Sequence, residues 1–149
     1  MLRQKRLSKK MVYCAMLVSA IYILFTCLES LMVTKDSALF EAWRSQFSTQ
    51  VTISDYAAVN VMNLLQSTLI PAGYAVHLYF AAKKAGLLKI AYWVWGLLLF
   101  YILIMQFLRL QISNPVFWIR SVLAFLIFLI HCNISYGADL PEANRKEFL

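Results

Sequence analysis

The chain has 149 residues, 62% of them hydrophobic and only 14% charged, with a net charge of +7. A soluble domain of this length needs polar faces on its helices, so this balance excludes an ordinary soluble core and points to an integral membrane protein. Four Gly and three Pro are too few for a turn-rich β-protein, and no segment alternates as a membrane barrel strand does.

The chain starts basic. Five of the fourteen cations lie in "RQKRLSKK", ahead of the first apolar run. The positive-inside bias puts cations there, and they suit an anionic headgroup surface. No basic groove with stacking aromatics follows, so the bilayer rather than nucleic acid is the expected partner.

A hydrocarbon core of roughly 30 Å takes about 20 helical residues, and four segments meet that requirement. The first, "MVYCAMLVSAIYILFTCLESLMV", covers 11–33. It is too long for a signal-peptide core and lacks a small-residue cleavage site, so it reads as retained. On it Ser19, Tyr22, Thr26 and Glu29 share one face at 3-4-3 spacing.

The next connection, 34–54, holds "DSALFEAWRSQF". Leu39, Phe40, Trp43 and Phe47 fall on one helical face, with Glu41, Arg44 and Ser45 away from it. This predicts a short amphipathic helix in the membrane interface, its aromatics serving as an anchor or as a docking face.

The second span covers 56–82, with Ser54 and Asp55 as candidate caps and Pro71 inside it. Asn60, Asn63, Gln66, Ser67, Tyr74 and His77 fall within an arc of about 140°, given the 3.6-residue period. Leu65, Leu69, Ala72 and Val76 fill the other side. One wet face on an apolar helix predicts a central position, packed on neighbours or on another protein.

The third span, 87–110, carries Tyr92, Trp93 and Trp95 as an aromatic belt, and Ala91 and Gly96 as sites of close approach. Asn114-Pro115 reads as the start of the fourth span, 116–136. Ten Lys and Arg on one side against four on the other place both termini in the cytoplasm. The expected architecture is therefore all-α: a single domain forming a four-transmembrane-helix bundle, N-in and C-in, in the cell membrane.

Counting inward from the outer ends puts Glu29, Asn60, Gln106 and Arg120 each about four residues, or ~6 Å, deep. Glu29 and Arg120 are placed to pair, as an interhelical clamp or as the floor of an outward-facing cavity. Near the other side Cys14, His77, His131 and Cys132 share a depth but no pair has ligand spacing, so no metal is expected. The default for such a His is a hydrogen bond to Tyr74, Asn133 or a backbone carbonyl. The three cysteines read as small buried hydrophobes.

No phosphate loop, metalloprotease helix, nucleophile elbow or paired intramembrane carboxylates occur, so no catalytic residue or cofactor is expected. The expectation is an accessory or stabilising subunit that binds a membrane-protein partner. Its interface would comprise Glu29, Asn60, Asn63, Gln66, Gln106 and Arg120, with Phe40, Trp43 and Phe47 as an outer face. A self-associating transporter or channel lined by the second span is the alternative, and a membrane enzyme stands behind both.

Overall fold

The computed structural model describes residues 8–46, 51–84, 89–108 and 115–139. Phe47, Arg109, Asn114 and the C-terminal tail lie outside the described residues. Those described form five helices: α1 (Lys9–Lys35), α2 (Ser37–Arg44), α3 (Ile53–Lys84), α4 (Lys89–Leu108) and α5 (Pro115–Asp139).

The helix starts follow from local chemistry. Asp36 caps α2, its carboxylate accepting the N–H groups of Ala38 and Leu39 at 2.9 and 3.1 Å. Pro115 takes the first position of α5, where its missing N–H costs nothing. The cap of α3 is Thr52, one turn earlier than Asp55 and ahead of Ser54. Its hydroxyl accepts the Asp55 N–H at 3.3 Å, while the Asp55 carboxylate accepts the Thr52 N–H at 2.9 Å. This is a reciprocal capping box.

The hydroxyl and backbone N–H of Thr52 hold the exposed Asp55 carboxyl below the ordinary carboxylate range. A depressed folded value means the cap acts in full above the unfolded value, near pH 4, and weakens as pH falls through the folded one. Protection of the first-turn amides of α3, taken as the exchange rate relative to an unstructured chain at the same pH, is therefore expected to hold down to roughly pH 4 and to fall below it. In Asp55→Ala that acid-dependent step disappears.

The burial pattern is inside out. On α1 the buried residues are Val12, Ala15, Ser19, Tyr22, Thr26 and Glu29, at alternating spacings of three and four. Leu17, Leu24, Leu31 and Met32 are exposed. A soluble helix does the reverse, because water penalises exposed Leu. Among the described residues three helices are long and apolar enough to cross a membrane: α1, α4 from Ile90, and α5 from Pro115 to Ile134. With 32 residues, α3 is the longest at about 48 Å, but its amides and hydroxyls keep it out of that set.

The sequence pattern predicts α3 at the centre. Instead α1 is the hub, packing extensively on both α3 and α5, while α4 leans on α5 and touches α3 only thinly. The reason lies in size. Ala15 and Ser19 are fully buried and small, so neighbouring backbones come close to α1. The α3 residues Pro71, Tyr74, Leu78 and Ala81 are buried, but from Ala57 to Ile70 no residue is. The first half of α3 thus leaves a seam open toward α4.

At the end where α1 meets α2, the chain ties itself together. Tyr56 donates its hydroxyl to the Val33 carbonyl at 3.2 Å. The rings of Phe40 and Trp43 sit 5.6 and 5.2 Å from that of Tyr56. Such aromatic contacts add about 0.5–1.5 kcal/mol each beyond burial.

Candidate functional site

The polar residues of α1, α3, α4 and α5 meet in a cleft of about 140 Å³ at the α2 end of the molecule. That is room for several waters or a polar side chain. Glu29, Asn60, Asn63, Gln106 and Arg120 all line it, together with Thr26, Ser30 and Ser67. Helical spacing explains the convergence. Glu29 ends the buried stripe of α1, Gln106 ends that of α4, and Arg120 follows the buried Phe117 on α5.

Glu29 and Arg120 form an ion pair across α1 and α5, with side chains 8% and 12% exposed. The Arg120 guanidinium also lies 5.9 Å above the Tyr22 ring, within cation–π reach. Tyr22 is the residue the polar groups share. Its hydroxyl accepts from Gln106 Nε2 at 3.2 Å, and its carbonyl accepts from the Thr26 hydroxyl at 2.8 Å. The Ser30 hydroxyl reaches the Asn60 carbonyl at 3.5 Å, joining α1 to α3.

Several polar atoms of the cleft stay unmatched. Asn60 Nδ2, Gln106 Oε1 and Arg120 Nε are buried with no hydrogen-bond partner among the described residues. A buried amide left so costs about 1–3 kcal/mol, which favours any occupant able to bond it. Carboxylate and guanidinium cancel, so the cleft suits a neutral group that both donates and accepts. The described lining holds no His, Cys or Lys. Its chemistry is hydrogen-bond recognition.

A smaller adjoining cleft of about 60 Å³ lies along the α3–α4 seam. Gln66 is here, exposed at the rim beside Tyr101 and Met105. The structure thus gathers five of the expected polar residues in one place and sets Gln66 next door. Phe40 and Trp43 are elsewhere, turned onto Tyr56, which leaves Leu39 as the exposed large hydrophobic of α2. Tyr22, Thr26, Ser30 and Ser67 belong to the site as well. The 3-4-3 face of α1 signals the first two, whereas Ser30 lies one residue off it.

Toward the opposite end, buried His131 accepts from or donates to the Tyr74 hydroxyl through Nδ1 at 3.1 Å. It stacks on Tyr92 with ring centroids 4.3 Å apart and planes 10° from parallel. Gly96 makes room, since a Cβ there would lie 3.2 Å from His131 Nε2. His77 packs against Trp95 instead. Cys14 and Cys132 are exposed and Cys27 is half-buried, so the cysteines are not core residues as the sequence suggests. They lie on helices whose outward residues are largely apolar, and an apolar surround does not require burial within the chain. Among the described residues no three His, Cys, Asp or Glu are grouped to hold a metal ion.

Comparison with protein families, characterised proteins and solved structures finds no match to this chain.

Proposed function

We propose that this chain is an accessory subunit, a four-span membrane protein that stabilises or regulates a larger membrane complex by receiving a partner segment in the cleft beside α3. The observation that carries the reading is the half-empty first half of α3. Asn60, Asn63 and Ser67 line a cleft in which Asn60 Nδ2 and Gln106 Oε1 have no partner among the described residues. Buried amides are nearly always bonded, so these two favour an occupant of the cleft that donates and accepts, as a partner's polar side chain does.

Supporting the topology, α3 is long enough to cross, and its Asn60, Asn63, Gln66 and Ser67 turn toward the cleft or its rim. Lys9, Lys10 and Lys83 lie at one end of the helices, with Lys35 and Arg44 at the other. Together with the cation-rich tails this favours cytoplasmic termini in a cell membrane and an outer α2 lying in the interface.

Native mass spectrometry of the protein, extracted gently at its natural level, tests the reading. The expected result is a mass containing a second, different chain. Asn60→Leu with Gln106→Leu is expected to lower its recovery while leaving the chain folded. A mass made only of this chain would instead favour the self-associating transporter or channel.

A further inference from the structure

We propose that the smaller cleft on the α3–α4 seam is a lateral binding site for a neutral lipid with a free hydroxyl, of the diacylglycerol class. The inference goes beyond the protein partner of the main cleft and rests on α3 and α4 lying side by side in the membrane. Gln66 and Tyr101 stand exposed at the rim, one on each helix. Gln106, only 4% exposed, and Arg120 line the interior, and both also line the main cleft.

The two interior residues leave bonds of opposite sense unmade. Gln106 Oε1 is an acceptor and Arg120 Nε a donor, each buried with no hydrogen-bond partner among the described residues. A hydroxyl supplies both senses from one oxygen. The carboxamide oxygen has two lone pairs, so Gln106 can serve this site and the main cleft together.

Charge decides against the other headgroups. Glu29 already balances the Arg120 guanidinium, so a phosphate would bring an unmatched negative charge beside a buried carboxylate. An ammonium would meet the guanidinium with the same result. A volume of about 60 Å³ takes a hydroxyl and the carbons beside it, but not a phosphocholine.

Position favours a lipid over a protein. The cleft opens where α3 and α4 touch only thinly, between helices whose exposed residues include Leu65, Leu69, Leu97 and Ile104. Acyl chains cover such a surface in any bilayer. By the count along α4, Gln106 lies ~6 Å inside the outer boundary. A lone hydroxyl reaches that depth without carrying a charge through hydrocarbon. A partner helix, roughly 10–12 Å wide, has only a side chain to offer such a cleft.

The test uses the purified chain in phosphatidylcholine vesicles holding a trace of diacylglycerol with a diazirine near its glycerol end. Photolabelling mapped by mass spectrometry is expected at Tyr101 and Met105, at least about tenfold above Leu24 on the exposed face of α1. Unlabelled diacylglycerol is expected to compete, whereas the same lipid acetylated on its hydroxyl needs about tenfold more. That comparison uses the unaltered protein and does not depend on how a variant folds. Gln106→Leu is expected to lower the labelling about tenfold.

Equal labelling of Leu24, equal competition by the acetylated lipid, or equal labelling by a diazirine phosphatidylglycerol would overturn the site. So would seam residues that stay unlabelled in vesicles but crosslink to a second protein in native membranes. The two readings fail separately. A heteromeric mass from native membranes without seam labelling removes the lipid site alone, and seam labelling without a heteromeric mass removes the protein partner alone.

Discussion

Arg120→Ala is expected to destabilise the folded protein by about 3–5 kcal/mol, because it strands the Glu29 carboxylate without its counter-charge. Glu29 is only 6% exposed as a residue, on the buried stripe of the hub helix. Glu29→Ala is expected to cost less. The Arg120 side chain is long, and once released it can carry its guanidinium outward along the cleft toward water. Replacing both by Leu is expected to cost less than Arg120→Ala alone, since no charge is then buried unpaired. Unfolding in mixed micelles with increasing denaturing detergent measures all three. If Arg120→Ala proves the mildest of them, the ion pair is not what holds α1 to α5.

Why some of this is legible from sequence and some is not comes down to what periodicity encodes. Depth follows from counting along helices, so Glu29, Asn60, Gln106 and Arg120 can be assigned to one layer, and all four line the same cleft. The 3-4-3 face of Ser19, Tyr22, Thr26 and Glu29 likewise reads directly as the buried face of α1. Which helix sits between the others is another matter. A count of polar residues favours α3, yet close approach is decided by small side chains, and Ala15 and Ser19 put α1 at the hub.

Gln66 illustrates the same limit. It shares the polar arc of α3 with Asn60 and Asn63, but an arc of about 140° is wider than one neighbouring helix can cover. One edge of the arc therefore stays outside. The cap at Thr52 is a near miss of a different kind. Thr52, Ser54 and Asp55 are all good capping residues, and only the reciprocal bonds between the first and the last select Thr52. The fold of α2 onto Tyr56 depends on a contact between separate helices, which no single-helix pattern contains.

Tyr22→Ala is expected to be as damaging as the loss of Arg120, about 3–5 kcal/mol, although Tyr22 carries no charge. Its side chain is 1% exposed and stands among the buried residues joining α1 to its neighbours. In a bilayer the usual transfer gain for an apolar ring is largely absent, because lipid is as apolar as the protein interior. What the substitution removes is packing: the dispersion contacts of the ring, with a cavity left between α1, α3, α4 and α5. It also strips Gln106 Nε2 of its acceptor while Gln106 Oε1 is already unmatched. Tyr22→Phe separates the two contributions. It keeps the ring and removes only the hydroxyl, so a cost of about 1–2 kcal/mol is expected. The same detergent titration reads both variants. If Phe proves as damaging as Ala, the hydroxyl and its amide dominate, and the cleft is held by hydrogen bonding rather than by the fit of one ring. If Phe is neutral, Gln106 has found another partner. The α3–α4 seam is then where it turned, because that is the side on which the fold leaves space.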